Sequence, residues 1–529
     1  MTPSGDLHEL IHSLTKTEKR YYKLFVTRTA GAKNTFALKV FDAIAKQKTY
    51  DEEKLLAQFT GESFTTNFAA YKNIIYNTVL RALLQYHEST QQQEALHAQV
   101  RHVKLLIDKN LFKQAYKLNQ RIRKKALANN DYAVILETIE FDRKILFIRS
   151  GEYLYDAEPH VVVERLNEIE TQTHRIWQKT STMRAIQTTI LERHYNFAKH
   201  FSTWEEAKTW AESQMQHPYF LPDATLENFY IFQLYHYTHV VYESQFRTNY
   251  AQAMEHAVTL VNAFEAEPER IRHTGYMYSQ ACSMVIVNAI WMYDDATANV
   301  YVDKMYNAQK TYGLESSPEV DRYVLQAVVY EGALLTSSLD TARVLAYVER
   351  AKVVLEKYSS LKRYEMERQI VLLSAEALFS IGNYKQCIEW CNRFIHTPHY
   401  FHYTTSTVVI RVLLILSHYE LGNTEVIDSL ARAALRSLDS FEIERPDDAV
   451  FFRAIRKIAL CDSKQEELHR IQKMLNDMVA ANADLPNAIA SRVNLSLHFV
   501  WGQAHIKGVS FREEYLFQQQ EYVRLSKGD

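Results

Sequence analysis

Glycine and proline are scarce in this sequence, and their scarcity limits the folds that it can adopt. The 529 residues include only 12 Gly and 9 Pro. Sheet proteins use these residues in their turns, and nucleotide-binding α/β folds use glycine in their phosphate loops. A chain that is poor in both is expected to be mostly helical with short connections. We therefore predict an all-α fold.

The sequence also lacks the features of secreted and membrane proteins. Its four cysteines, at positions 282, 387, 391 and 461, are too few for a disulfide framework in a chain of this size. No apolar run approaches the ~18 residues that a membrane span requires. The first residues contain no basic segment followed by an apolar core, as a secretory signal does. We expect a cytoplasmic protein that does not cross a membrane.

The sequence patterns of common enzymes are missing as well. There is no G-x-x-x-x-G-K-[ST] loop, no G-x-G-x-x-G motif, no G-x-S-x-G motif and no pair of C-x-x-C motifs. Paired carboxylates such as Asp294-Asp295 and Asp447-Asp448 stand at turn or helix-start positions, where aspartate favours capping. We therefore expect no enzyme activity, no catalytic residue, no cofactor and no metal ion.

What the chain does have is an internal repeat. In the clearest unit, Leu372–Ile395, Gly382-Asn383 breaks one apolar helix and Tyr384 opens a second. Glycine permits the tight turn, and a small residue permits close approach of two antiparallel helices. The pattern recurs at intervals of 40 to 46 residues, or twice that, and its expected contact residues are Ala115, Ala207, Ala253, Ala296, Ala342, Cys387 and Ile427.

These units resemble tetratricopeptide (TPR) repeats, most plainly at Gly382–Phe394 and Gly422–Ala434, with a period longer than the 34 residues of that family. The resemblance implies a right-handed α-solenoid of about seven to nine helical pairs, which binds a protein or peptide in its concave groove. We divide the chain into an N-terminal helical domain (1–90), TPR-like repeats (91–440) and C-terminal helical pairs with a cap (441–529).

The register of the TPR family assigns a set of side chains to the groove. Tyr235, His239 and Tyr242 form one stripe on the helix that precedes Ala253, and tyrosine offers a peptide rigid apolar area with one hydroxyl. Alternatively, these aromatic side chains only pack between repeats. The predicted groove residues are Glu192, Arg193, Asn196, Tyr235, His239, Tyr242, Tyr278, Asn288, Glu331, Gln369 and Glu376.

Positive charge is concentrated in the first quarter of the chain. Residues 1–130 contain 21 Lys and Arg against 11 Asp and Glu, whereas the net charge of the whole chain is −2. The cations of residues 101–125 either form a solvated helical face or bind phosphate or an acidic partner. The predicted basic face consists of Arg101, Lys104, Arg121, Arg123, Lys124 and Lys125.

Residues 41–59 admit three interpretations. They could form a helix-turn-helix that binds DNA, the first pair of the solenoid, or a capping bundle. Bacterial peptide-sensing regulators join a small N-terminal helical domain to a TPR array, and this chain is similar to them in its architecture. A nucleic-acid-associated regulator is therefore the main alternative to a protein-binding scaffold.

An H-E-x-x-H pattern lies at His8-Glu9-Leu10-Ile11-His12 and raises the possibility of a zinc hydrolase. On a helix the two imidazoles would stand one turn apart, with Glu9 as the base that activates water. No third ligand follows at the spacing of the known families. We therefore expect an amphipathic helix without metal.

Two further patterns contain metal-binding residue types. Cys387 and Cys391 share a helix face, but they stand where other repeats have alanine, which favours packing over metal or redox chemistry. The cluster of His396, His399 and His402 has no carboxylate or thiol close by in the sequence. We expect its side chains to pack on the next repeat.

Overall fold

The computed structural model describes residues 5–30, 35–47, 50–90, 92–148, 158–273, 275–314, 318–336, 340–358, 364–397, 404–439, 446–481 and 496–526. These ranges contain helices and no strand, so the predicted all-α class is confirmed. None of the described helices is long and apolar enough to cross a membrane. The chain forms two compact units: unit 1 is 1–184 with 226–229, and unit 2 is 185–225 with 230–529.

Unit 1 contains two helical clusters, each with its own core. The first is α1 (Asp6–Ser13), α2 (Lys16–Ala30), α3 (Thr35–Lys46), α4 (Glu52–Ala57) and α5 (Phe68–Thr90), and its core includes Ile11, Tyr22 and Phe41. The second is α6 (Gln92–Asp108), α7 (Phe112–Asn129), α8 (Tyr132–Ile148) and the first part of α9 (Pro159–Tyr195). The second helix of the predicted helix-turn-helix, α4, has six residues. DNA binding by this pair stays a prediction.

Unit 2 is a succession of helices joined by short turns. It contains α10 (Phe197–His200), α11 (Trp204–Met215), α12 (Phe229–Gln245), α13 (Tyr250–Glu265), α14 (Pro268–His273), α15 (Gly275–Trp291), α16 (Asp295–Tyr312), α17 (Pro318–Leu335), α18 (Thr341–Tyr358), α19 (Tyr364–Ser380), α20 (Tyr384–Ile395), α21 (Thr404–Glu420), α22 (Ile427–Asp439), α23 (Pro446–Ile458), α24 (Lys464–Ala481), α25 (Leu497–Lys507) and α26 (Phe511–Ser526).

Within unit 2 the helices alternate between two roles. We call α12, α15, α17, α19, α21 and α23 the first helices, and we call the helix that follows each turn a second helix. From α15 to α24 each first helix packs on its own second helix. The first helices α15, α17, α19 and α21 also pack on one another in succession, whereas the described second helices do not make contacts of comparable extent with one another.

The turn within a pair has a fixed backbone conformation. The residue before the cap of the second helix has positive φ in four of these turns: 53° at Thr248, 58° at Tyr293, 74° at Gly382 and 75° at Gly422. The next residue is Asn or Asp, and in three of the turns its side chain accepts a hydrogen bond from the backbone N–H three residues on: Asn249, Asp294 and Asn383. A helix N-terminus needs such an acceptor because its first N–H groups have no partner within the helix.

This turn corrects the register that the sequence pattern gave for two pairs. A fully buried residue follows four positions after the cap, as Ala253 follows Asn249. The same rule selects Ala298 and Val344, which are buried, instead of the predicted Ala296 and Ala342, which are exposed. The sequence pattern had used an aromatic or leucine residue to set the register, and in these two turns that residue lies elsewhere.

Candidate functional site

An open groove lies on the first helices of unit 2. It has a volume of about 300 Å³ and receives side chains from the end of α9 and from α12, α15 and α17. Its lining consists of Leu191, His194, Tyr195, Tyr237, Val240, Val241, Ser244, Gln245, Gln280, Ser283, Met284, Val287, Asn288 and Tyr330. We call it the tyrosine groove. No Asp, Glu, Lys or Arg is among these lining residues, so the groove offers an uncharged surface.

Three tyrosines give the groove its polar edges. Tyr195 is 79% exposed, so one side chain at the rim is open to solvent. Burial raises the pKa of Tyr237 to about 12, and the neighbouring Tyr195 and Tyr330 add to this shift. Burial also raises the pKa of Tyr330, whose hydroxyl is hydrogen bonded to Ser283. The hydroxyls of Tyr237 and Tyr330 are therefore neutral at physiological pH and can both donate and accept hydrogen bonds.

Asn288 supplies the most specific polar group of the tyrosine groove. Its side chain is 1% exposed, and its Nδ2 donates a hydrogen bond to the carbonyl of Met284 at 2.8 Å. Its Oδ1 accepts no hydrogen bond from any described residue. A buried acceptor without a donor costs about 1–3 kcal/mol, so such groups are rare in native structures and call for an explanation.

The predicted groove residues of α12 and α15 lie elsewhere, with the exception of Asn288. His239 Nε2 donates to the carbonyl of Phe220 at 3.0 Å, and its ring stacks on His256 with centroids 4.6 Å apart. Tyr235 and Tyr242 are buried. Tyr278 is fully buried, and its hydroxyl donates to Glu265 at 2.9 Å. These aromatic side chains pack between helices, which is the alternative that the sequence left open.

The three predicted residues at the end of α9 make local contacts on another side of that helix. Glu192 Oε1 accepts from His200 Nε2 at 2.9 Å and from Asn196 Nδ2 at 3.2 Å. The guanidinium of Arg193 lies over the Trp210 ring, 4.4 Å from its centroid. In α9 the groove is lined instead by Leu191, His194 and Tyr195, which shows how a small error of register selects a different face of a helix with 3.6 residues per turn.

The remaining predicted residues lie farther along unit 2. Glu331 accepts a hydrogen bond from Tyr306 at 2.7 Å and pairs with Arg350 at 3.3 Å. Gln369 donates to Glu365 at 3.1 Å. Glu376 lines a second, smaller cavity of about 260 Å³. Burial raises its pKa to about 7, and it makes no hydrogen bond with a described residue.

The second cavity exists because the C-terminal helices cover part of the first-helix face. α25 packs on α21 and α24, Trp501 Nε1 donates to Glu420 at 2.6 Å, and the rings of Phe511 and Phe379 meet edge to face at 5.0 Å. Side chains of α19, α21 and α23 line the cavity on one side, and side chains of α25 and α26 line it on the other. The C-terminal helices thus occupy the face of α19–α23 and leave the tyrosine groove open.

The basic face of unit 1 keeps five of its six predicted members. Arg101, Lys104, Arg121, Lys124 and Lys125 are exposed. Of these, Lys104, Arg121, Lys124 and Lys125 form no ion pair with a described residue. Arg123 does not belong to this face. It is buried, and it donates to Asp142 at 2.6 Å and to the Thr138 carbonyl at 2.7 Å.

The metal-like patterns near the N-terminus and in α20 have structural roles. His8 Nε2 and His12 Nε2 donate to the carbonyls of Gln47 and Ile44, at 3.0 and 3.3 Å. These carbonyls stand at the end of α3, where helical carbonyls need donors. Cys387 and Cys391 are fully buried with their sulfurs 4.0 Å apart, and burial raises the pKa of Cys391.

The loop histidines divide between described and undescribed parts of the chain. His396 ends α20 as its C-cap residue. His399 and His402 lie outside the described residues. Their predicted packing therefore stays a prediction.

The sequence reasoning missed Tyr195, Tyr237 and Tyr330. The available signal was the Asn or Asp cap of each second helix, since counting back from Asn249 or Asp294 fixes the orientation of the preceding helix. Comparison with known proteins gives no family: no protein-family model matches the chain, and no curated protein matches it significantly.

Proposed function

We propose that this protein is a non-enzymatic scaffold that binds an extended, uncharged peptide segment in the tyrosine groove. The buried Asn288 acceptor, which has no donor among the described residues, carries the proposal. A backbone N–H of a bound peptide would supply that donor. The hydroxyls of Tyr195, Tyr237 and Tyr330 would then add adaptable hydrogen bonds and rigid contact area.

The composition of the lining supports this class of ligand. Leu191, Val240 and Met284 are among the apolar residues of the groove, while its polar groups are hydroxyls, amides and one imidazole. An Asp, Glu, Lys or Arg side chain would lose hydration there without gaining an opposite charge. We therefore expect a peptide with small apolar or hydroxyl side chains at the positions that enter the groove.

The packing of the helices supports a TPR-like solenoid as the frame of this site. First helices that pack directly on one another, with second helices held farther apart, are expected on the inner side of a curved stack. We place the tyrosine groove on that concave side and take the stack to be right-handed, as the TPR resemblance implies. The unlinked, buried thiols of Cys387 and Cys391 fit a reducing, cytoplasmic setting.

A peptide selection on the full-length protein tests the proposal. Ligands would be selected from a displayed random library and measured again with Asn288→Ala and Tyr195→Ala. We expect Asn288→Ala to weaken binding about 3- to 10-fold, because one net hydrogen bond is lost. Phe147→Ala is the matched control, since Phe147 is 88% exposed in unit 1. Equal losses in all three variants, or none in any, would reject the groove.

A second candidate function is the binding of nucleic acid by the basic face. Four exposed cations without ion pairs, Lys104, Arg121, Lys124 and Lys125, favour it. Exposed cations that have no partner in the protein can release counterions from a phosphate backbone when they bind it. This function would join a phosphate-binding unit 1 to the peptide-binding unit 2 in one regulator.

The salt dependence of binding to nucleic acid tests this second function. The variant Lys104→Gln/Arg121→Gln/Lys124→Gln/Lys125→Gln should bind duplex DNA more weakly than the wild type. The slope of log K against log[salt] should become shallower by about 0.9 for each phosphate contact that is lost. An unchanged slope would show that these cations form only a solvated face.

A further inference from the structure

Three ligand-type side chains converge where α25 meets the start of α23. Asp447 and Asp448 lie in the first turn of α23, and His498 is the second residue of α25. One oxygen or nitrogen atom from each residue lies within 4.8 Å of the other two. Asp448 is 1% exposed and His498 is 3% exposed, so the group is almost fully removed from solvent.

The distances within this group suit a shared ion better than direct hydrogen bonds. His498 Nε2 lies 3.8 Å from Asp447 Oδ2 and 3.7 Å from Asp448 Oδ1. Hydrogen bonds between nitrogen and oxygen are about 2.7–3.2 Å long. Two ligands on a tetrahedral Zn²⁺ ion, with bonds of about 2.0–2.2 Å, are about 3.3–3.6 Å apart. A small closing movement around an ion would bring all three atoms to bonding distance.

The surroundings provide orientation on one side and space on the other. The imidazole of His498 packs on the Phe451 ring with centroids 5.0 Å apart, which restrains its plane. Asp448 and His498 also line the cavity of about 260 Å³ that contains Glu376, Ser380 and Thr336. Water ligands could enter the coordination sphere from this cavity. Glu376, which has no hydrogen bond with a described residue, could accept a hydrogen bond from one of them.

We propose that Asp447, Asp448 and His498 bind one divalent transition-metal ion, Zn²⁺ in the first instance, and that this ion fastens α25 to the start of α23. Two carboxylates, one imidazole and water form a ligand set that Zn²⁺ accepts. No sequence motif announces the site, because the histidine follows the aspartates by about fifty residues. It replaces our expectation from the sequence that Asp447 and Asp448 only cap a helix. The site does not depend on the tyrosine groove.

Zinc binding by the chelator-treated, full-length protein tests this proposal. We expect one Zn²⁺ per chain by titration calorimetry and by elemental analysis after gel filtration, together with a higher midpoint of thermal unfolding. His498→Gln and Asp448→Asn should each remove this binding. Two controls should retain it: His505→Gln, on the same helix, and His8→Gln/His12→Gln, which removes the H-E-x-x-H pattern. Loss of zinc in that second control, or its retention in His498→Gln, would overturn the assignment.

Hydrogen exchange on the wild-type protein tests the site without a substitution, in case a variant does not fold. Zinc should slow the exchange of backbone amides in α23 and α25 and leave α1 unchanged. The absence of stoichiometric zinc, or protection outside these two helices, would leave a metal-free ion cluster as the correct description.

Discussion

At the scale of single residues, three histidines between α12 and α13 make stability depend on pH. His236 Nδ1 and His256 Nδ1 are 2.9 Å apart, and His239 stacks on His256. Burial, followed by a neighbouring histidine, lowers the pKa of each to about 4. Between pH 6.5 and 4 the unfolded chain therefore binds protons that the folded chain does not, so the free energy of unfolding falls as the pH falls.

Replacing one member of this cluster should weaken that dependence. We predict that the free energy of unfolding of His256→Gln decreases less between pH 7 and pH 4 than that of the wild type. Urea unfolding at a series of pH values measures this difference. Parallel curves for the two proteins would show that the cluster does not titrate as described.

Glu376 produces a dependence of the opposite sign. Burial raises its pKa from 4.5 to about 7, so between these values the unfolded chain releases a proton that the folded chain keeps. Stability therefore falls as the pH rises. In chelator, we predict that Glu376→Gln is more stable than the wild type at pH 8, by about 1–3 kcal/mol, and similar to it at pH 4. The exposed Glu365→Gln is the control and should show no such difference.

Arg123 separates a buried ion pair from a basic surface. Its guanidinium is 4% exposed, and it contacts Asp142, which is itself fully buried. Arg123→Ala leaves that carboxylate without its cation, and we predict a loss of about 3–5 kcal/mol in the free energy of unfolding. Lys124→Ala, at the exposed neighbouring position, should change it by less than about 0.5 kcal/mol. Similar effects in denaturant unfolding would return Arg123 to the basic face.

At the scale of helical elements, the turn between first and second helices is the unit that repeats. Gly382 has φ of 74°, and a Cβ atom at that position would meet no heavy atom closer than 4.0 Å. The backbone conformation therefore limits this site more than the available space does. We predict that Gly382→Ala destabilises the protein by about 1–2 kcal/mol, and that Gly382→Asn costs less because asparagine tolerates this conformation. Thermal unfolding of both variants measures the order, and the reverse order would contradict this explanation.

Much of the element structure could be predicted from the sequence, because it depends on local chemistry. Low glycine and proline content indicated helices, and Gly382 and Gly422 marked turns correctly. The Thr15–Glu18 capping box also forms, with Thr15 N donating to Glu18 at 2.8 Å and Glu18 N donating to Thr15 at 3.2 Å. These features depend on neighbouring residues, so the sequence was sufficient for them.

The candidate site was harder to predict, because it depends on helix rotation and on distant contacts. Tyr235 and Tyr237 are both aromatic, and only the rotation of α12 decides that Tyr237 lines the groove. Likewise, nothing near Arg123 in sequence reveals Asp142. The meeting of His498 with Asp447 depends on how α25 packs, which a local pattern does not contain.

At the scale of unit 2 as a whole, the first-helix face has a covered part and an open part. α25 and α26 cover α19–α23 with contacts such as Trp501 to Glu420, and the tyrosine groove on α12, α15 and α17 stays accessible. In this account the C-terminal helices complete the core of the later pairs, and binding is left to the earlier ones. The proposed metal site would strengthen the covered part without changing the open part.

The most direct test of the central proposal is hydrogen exchange on the full-length protein with a selected peptide. Protection should appear in α12 and α15, including the peptide that contains Asn288, while α6 and α7 of unit 1 keep their exchange rates. This result would locate the ligand in the tyrosine groove. Protection confined to α6 and α7, or to α25 and α26, would contradict the account and show that binding occurs on another surface.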